Sequence, residues 1–317
     1  MIRKEQSIKS HIQKTVREIR IAVMPPMCDM PLQYRIRKDM GVFYQTFGYR
    51  FDVYNPSNFT EKIHTYKLLY DDDRIGRIVD KYEFKSYISE SLGSDKYVAK
   101  AYGVWDNIDD LERDWDSLPK EFVLKSTISS DGRNILFINK DKNDWNSIKS
   151  IVKKWFIRKN TLLNSFSNGY YKCVPRVLAE EHLHVISDGD NLRDYKFFCF
   201  DGNIRFVYTT SRTFIDNDYP RTFFDLNWNK INASLGYHPT ADTAEKPIHF
   251  KDMITIAEKL SAGFPFVRVD FYDSEKTPMI GELTFYPTGG FMPIEPPEFD
   301  KELGDLMIIP KEKMLRK

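Results

Sequence analysis

Two short alternating runs, Phe266–Tyr272 and Met279–Tyr286, constrain this chain more than any other feature; they lie in residues 266–290, FVRVDFYDSEKTPMIGELTFYPTGG. The polar segment Asp273-Ser274-Glu275-Lys276-Thr277 joins them, and the pattern predicts an antiparallel hairpin. Side chains two apart share a face of a strand. Arg268 and Asp270 therefore project to one side, and Val267, Val269 and Phe271 to the other. On the partner strand Glu282 and Thr284 share a side, opposite Leu283 and Phe285. With the turn centred near Lys276, Asp270 and Glu282 fall almost opposite one another, at the roughly 4.5–5.5 Å Cβ separation of cross-strand neighbours. Two carboxylates that close repel unless a cation lies between them. Magnesium suits the pair, because it takes oxygen ligands, keeps several waters and borrows others from nucleotide phosphates. Arg268 beside them offers a fixed positive fork for a phosphoryl or carboxylate oxygen. A solvated hairpin face carrying one salt bridge has the same pattern, so the hairpin alone leaves both readings open.

The rest of the chain narrows the choice. Its 317 residues predict two or three lobes, and 41% hydrophobic with 15% aromatic residues suffices to build cores. A net charge of +1 argues against a dedicated nucleic-acid binder. Cys28, Cys173 and Cys199 are scattered and odd in number, with no CxxC pair, so they predict buried, inert thiols in a reducing compartment. No signal-peptide pattern and no apolar run approaching ~20 residues is visible, which predicts a soluble, cytoplasmic protein without an integral membrane segment.

Along the chain, Ile8, Ile12, Val16, Ile19 and Val23 mark an amphipathic helix whose other face carries Lys9, Lys14, Arg17 and Arg20. That face is a solvated surface or a peripheral contact with anionic lipid. The aromatic-rich residues 31–55 suggest short helices and loops, and Asn58 or Thr60 caps a further helix. A helix is expected over Arg77–Leu92, stopped by Gly93 and containing Asp80-Lys81-Tyr82. The strand Glu121–Lys125, the polar loop 126–132 and a second strand from Asn134 to Ile138 form a hairpin able to fold over phosphates with its N–H groups. A strand over 177–183 ends in Glu180 and Glu181, placed to read a ribose or an adenine amino group or else simply solvated. Asp201-Gly202 joins the strands Leu192–Phe200 and Asn203–Thr209. In the first of these Arg193 and Tyr195 face one way, and Asp194 and Lys196 the other, with Lys196 set between aromatics as a functional lysine. Residues 210–250 read as a long functional loop, Phe250–Ala262 as a helix, and Lys301–Lys317 as a charged, peripheral tail.

In order, NFTEKI, VDKY, FVLK, LAEEHL, RDYKFFCFDG, FVRVDFY and GELTFYPTGG resemble the TupA-like branch of the ATP-grasp superfamily, from about Asn55 to Gly304. The resemblance implies an α+β, ATP-grasp fold: two α+β lobes (77–173 and 174–317) clasping ATP, behind a small, mostly helical N-terminal region (1–76). It implies that Lys81 and Lys125 contact phosphates, with Ser129, Ser130 and Gly132 of a glycine-poor loop. Glu180, Glu181, His182 and Leu183 match the segment that reads adenine and ribose, and Lys196 a further nucleotide-facing lysine. Asp270 and Glu282 match the magnesium ligands, Arg268 the transition-state arginine. Thr284 stands where many members have an asparagine ligand. Lys125 and Arg268 are thus the expected catalytic residues.

The implied chemistry is ADP-forming carboxylate–amine ligation through an acyl phosphate, with ATP and Mg²⁺ as cofactors. The implied setting is bacterial surface (capsular) polysaccharide, with a small-molecule or glycan acid such as a uronic acid joined to an amino acid or amine. Arg193, Arg212, Arg221, Thr288, Gly289 and Gly290 are candidates for gripping that substrate. A glycosyltransferase of the same pathway and a non-catalytic nucleotide-binding scaffold are the competing functions. The first needs a Rossmann glycine fingerprint that no early strand supplies, and the second has no use for the carboxylate pair.

Overall fold

A computed structural model describes residues 25–129, 134–162, 165–183, 187–188, 191–212, 221–236 and 244–315. The helix expected over 8–23, together with Ser130 and Gly132, lies outside the described residues.

The chain enters through helices. α1 (Leu32–Phe47) is a single helix where short pieces are expected from the sequence; it ends on Gly48 at φ 78°, a left-handed conformation that glycine adopts without strain. Its aromatics pack locally: Phe43 meets Phe47, Tyr49 and Phe51 at ring distances of 4.6–5.0 Å. α2 (Phe59–Leu69) is capped by Asn58, whose side chain accepts from the Glu61 N–H at 2.9 Å. Every residue of α2 except Lys62 is buried, so it is an interior pillar rather than a surface helix.

The helix expected over Arg77–Leu92 is broken into α3 (Asp73–Val79) and α4 (Glu83–Leu92). The cause is Asp80, whose carboxylate takes the N–H groups of Tyr82 and Glu83 at 2.9 and 3.0 Å. The Lys81 N–H turns out to the Thr127 carbonyl at 2.8 Å. Lys81 therefore sits at a corner, not in a helix interior. Gly93, at φ 72°, ends α4 as expected.

The smaller sheet comprises β1 (Ala101–Trp105), β2 (Glu121–Ser126), β3 (Ile135–Asn139) and β4 (Val177–Glu180), all antiparallel in the order β1-β4-β2-β3. Helices α5 (Ile108–Asp114) and α6 (Trp145–Val152) contribute Leu111, Ile148 and Val152 to one core with Trp105, Phe122, Leu124 and Val177. After α6 the chain passes through a 3₁₀ turn, Lys153–Phe156, to α7 (Arg158–Leu162). β4, which the sequence assigns to the second lobe, lies between β1 and β2, so the chain leaves the first sheet only after Glu180.

The larger sheet runs β12-β11-β6-β7-β8-β9, with β5 also on β6. Its strands are β5 (Ser187–Asp188), β6 (Asn191–Phe200), β7 (Asn203–Arg212), β8 (Arg221–Phe224), β9 (Lys230–Ile231), β11 (Val267–Tyr272) and β12 (Met279–Thr284); β10 (Ser234–Leu235) pairs separately with β13 (Ile294–Glu295). Asp201 (φ 45°) and Gly202 (φ 78°) make the tight β6–β7 turn that Asp-Gly favours. The segment 210–250, read as a loop, contains β8, whose Arg221, Thr222, Phe223 and Phe224 are all buried. α8 (Phe250–Ser261) lies on the apolar face formed by Val267, Val269, Phe271 and Phe197.

The C-terminal segment is structural, not peripheral. In α9 (Pro297–Leu306) and just beyond it, Leu303 and Met307 are fully buried. Lys62 donates to the carbonyls of Gly304 and Met307 at 2.8 and 3.0 Å, and the Leu315 N–H donates to Leu69 at 2.7 Å. A two-residue apolar seam in a charged run conceals this packing from a composition-based reading. Asp300 completes the seam by accepting from the Thr60 N–H and hydroxyl at 2.9 and 3.0 Å. Burial pushes its carboxyl up to about 6 even though the Thr60 hydrogen bonds favour the ionised form. Between about pH 4 and that value the native chain holds a proton the unfolded chain has released, so this stabilisation is full at low pH and is lost as pH rises. Against Asp300→Asn, wild type should lose up to about 3 kcal/mol on going from about pH 4 to about pH 7 in urea titrations; parallel pH profiles for the two proteins contradict this.

Candidate active site

β11 is flanked on both sides, and this places the charged residues. Asp270 is paired with Glu282 on β12 and with Lys196 on β6, while Arg268 is paired with Thr284. Phe271 then pairs with Ile280, which leaves Gly281 as an extra residue. A Cβ at Gly281 would lie 2.8 Å from the Tyr272 ring, so any side chain there would have to displace that ring.

Arg268 organises the cluster. Its Nε and Nη2 each donate to one Asp270 oxygen at 2.6 Å, and Nη2 also reaches Glu282 Oε1 at 3.1 Å and the Thr284 hydroxyl at 3.2 Å. One cationic nitrogen thus stands between the two carboxylates whose repulsion the sequence anticipates. Below it, Lys196 donates to Asp270 at 2.9 Å and to Asp194. Burial alone would raise the Asp270 carboxyl, but Arg268 and Lys196 outweigh it and hold Asp270 below the usual carboxylate range. Burial would likewise lower Lys196, yet Asp194 and Asp270 hold it well above the ordinary lysine value. Glu282 differs from its partner: its side chain is 56% exposed and opens to the cleft. The donor set is all oxygen, two carboxylates and one hydroxyl, and already converges on one cationic centre. That chemistry fits a hard divalent ion.

A cleft of about 610 Å³ gathers Lys81, Ser129, Lys196, Arg221, Arg268, Glu282, Thr284, Thr288 and Gly289. Lys81 is inserted from the α3–α4 corner, donates to the Ser129 carbonyl, and is pushed below the usual lysine value by burial. At the other end Thr288, Gly289 and Gly290 have successive left-handed φ values of 52°, 65° and 82°. Gly290 itself faces away: a Cβ there would lie 2.8 Å from His64. Glu181 and Leu183 line a separate open cavity of about 1110 Å³ with Lys85, Lys100 and Met279. Glu180 points to neither; its carboxylate is buried in ion pairs with Lys125 and Lys85. The His182 ring lies 5.3 Å from that of Phe137. Arg193 and Arg212 are in the β6–β7 ladder, opposite Ser211 and Leu192, with side chains outside the described residues.

Sequence reasoning missed the support beneath the glycine pair. Lys67 donates to the Gly289 carbonyl at 2.6 Å and to Asp39 at 2.7 Å, and also lines the cleft. The His64 ring joins Asp39 at 2.5 Å to the Gly290 carbonyl at 3.1 Å. The N-terminal region therefore builds part of the site. Its signal was present in α2, where His64 and Lys67 stand three apart in a helix with no solvated stripe.

Residues 61–308 match a family model described as TupA-like ATPgrasp. None of the curated proteins matches the chain in sequence. Among solved structures, the D-alanine–D-alanine ligase of Bacillus anthracis complexed with ATP is similar at 14% identity and TM-score 0.41, over 73% of this chain and 65% of that one. The ATP-grasp ligase PsnB complexed with a phosphomimetic variant of minimal precursor, Mg and ADP is similar at 10% identity and TM-score 0.39, over 68% and 53%. The phosphoribosylamine–glycine ligase of Thermotoga maritima is similar at 12% identity and TM-score 0.39, over 67% and 48%. The chain spans about half the length of the PsnB chain it matches.

Asp39, fully buried, is the counter-charge on which Lys67 depends. Asp39→Asn should cost roughly 3–5 kcal/mol of unfolding free energy, because it leaves a buried ammonium uncompensated. Urea denaturation measures this, and a loss under about 1 kcal/mol would show that Lys67 does not need the charge.

Proposed function

Since the chain belongs to the TupA-like ATP-grasp family, we propose that it is an ATP-dependent carboxylate–amine ligase working through an acyl phosphate. One observation carries the reading: Asp270 and Glu282 face each other across β11 and β12, bridged by Arg268, at a cleft that also receives Lys81. A scaffold would have no reason to hold two carboxylates at one cationic centre beside a buried lysine. In the reaction a substrate carboxylate oxygen attacks the γ-phosphorus of ATP and ADP leaves. The amine then attacks the acyl carbon, the C–N bond forms, phosphate departs and the amine nitrogen gives up its proton.

Phosphoryl transfer asks a protein chiefly for positioning and charge neutralisation. Lys81 and Lys125 hold phosphate oxygens, with Ser129 beside Lys81. Glu181, His182 and Leu183 receive the base and ribose alongside the cavity that Met279 also lines. Asp270 and Glu282, helped by Thr284, would hold magnesium, whose charge would offset that of the phosphates. Arg268 keeps its fork on Asp270 and turns toward the transferring group the Nη2 edge that now meets Glu282 and Thr284. Lys196 stays beneath as the permanent counter-charge of Asp270. At the far end Arg221, Thr288 and Gly289 meet the acid, a sugar carboxylate such as a uronic acid, with Arg193 and Arg212 at the ends of their strands. The amine is an amino acid or simple amine, and the product feeds a bacterial surface (capsular) polysaccharide. Among the described residues no helix is long and apolar enough to cross a membrane, and the reading sets the reaction in the cytoplasm, where ATP and magnesium are supplied.

Calorimetry with ATP, with and without magnesium, tests the reading first: magnesium should tighten ATP about tenfold or more. Glu282→Gln, at a half-exposed side chain, should keep the melting transition and lose the tightening. It is a cleaner probe than Asp270→Asn, which strips a counter-charge from two buried cations. With uronic acid–amine pairs the wild type should release ADP and phosphate, and Arg268→Ala should fall by about 10³-fold or more. Absence of ATP binding, or release of a nucleotide only from an activated sugar, would exclude the ligase.

A further inference from the structure

Lys85 is a cation that the reading above leaves without a role. It lies on α4, four residues after Lys81 at the α3–α4 corner, and its ammonium donates to Glu180 Oε2 at 2.7 Å and to the Ala99 carbonyl at 2.6 Å. The other Glu180 oxygen, Oε1, is paired with Lys125. Glu180 ends β4, the strand between β1 and β2, and its side chain is only 7% exposed. The two lysines are not equivalent. Lys125 is 27% exposed at the end of the phosphate hairpin, whereas Lys85 is 13% exposed and anchored to a backbone carbonyl.

We propose that Lys85 is a positioning residue for Lys125: it remains on Glu180 as a fixed counter-ion, so that Lys125 is free to move its charge onto the phosphates of ATP. This rests on the ligase reading for Lys125. A buried carboxylate with a single cation resists giving it up, since parting them leaves an uncompensated charge. With two cations on it, Glu180 releases one and stays neutralised. The repulsion between the two ammonium groups favours the release as well. Glu180 is then the resting place of Lys125, and Lys85 keeps that resting place from becoming a trap.

The test is ATP affinity at fixed magnesium, by calorimetry, in wild type, Lys85→Met, Glu180→Gln and the double variant. Lys85→Met should weaken ATP about tenfold. In the double variant the trap is gone, so its affinity should return to within about threefold of Glu180→Gln alone. Lys85→Met binding ATP as wild type does would overturn the proposal. So would a double variant as weak as Lys85→Met, which would mean that Lys85 merely ties α4 to Ala99. If the melting curve shows Lys85→Met unfolded, Lys85→Gln replaces it, keeping a donor for the Ala99 carbonyl without the charge. Failure of the wild type itself to bind ATP would refute the ligase reading and take this inference with it, an outcome distinct from both.

Discussion

The carboxylate of Asp270 has cations on two sides in the middle of a sheet, and the rest of the site is arranged by that fact. β11 runs between β12 and β6, so one residue meets Glu282 across one ladder and Lys196 across the other. A buried carboxylate persists only with its lone pairs taken, and here Arg268 forks both oxygens while Lys196 takes one of them again. Buried pairs of this kind add little stability over an apolar core. Their consequence is positional. Arg268 is held flat against the sheet with Nη2 aimed at Glu282 and Thr284, the two groups that open to the cleft.

The far end of the cleft rests on a second buried charge cluster from a different part of the chain. The left-handed run Thr288-Gly289-Gly290 offers its carbonyls to Lys67 and His64, and both side chains lean on Asp39. α2 reaches this place because nearly all of it is interior, packed between the larger sheet and α9. The N-terminal region and the C-terminal segment thus act on the site through the helix they enclose. Glu180 shows the same device at the other end, a buried carboxylate shared by two lysines. Twice the fold sets a carboxylate under cations that border the cleft, and a third time, at Glu180, beside a lysine that borders the neighbouring cavity.

The hairpin was legible in the sequence down to the facing pair, because strand alternation and a short turn leave little freedom in the register of Asp270 and Glu282. Asn58 as a cap, Gly93 as a stop and Asp201-Gly202 as a turn were legible for the same reason: each depends on the conformation of one or two residues. The broken helix at Asp80 was not, since 3.6-residue periodicity runs through a corner made by one side chain capping its neighbours and one N–H bonding to Thr127. Nor were β8 and the seam of α9, where a few buried residues sit in polar surroundings whose average says loop or tail.

By itself the sequence determined which residue types are present at which strand positions: two acids and an arginine on one face of a hairpin, a lysine at the end of a strand, a glycine pair after the hairpin. That is local information, fixed by the two-residue period of a strand and the steric needs of turns. Only the tertiary structure decided which charges share a counter-ion. That Lys196 lies under Asp270, that Lys67 and His64 hold the glycine carbonyls, and that Glu180 is divided between Lys85 and Lys125 all depend on contacts between elements far apart in the chain. Burial makes such sharing obligatory, because a charge removed from water must find its partner wherever packing has placed one.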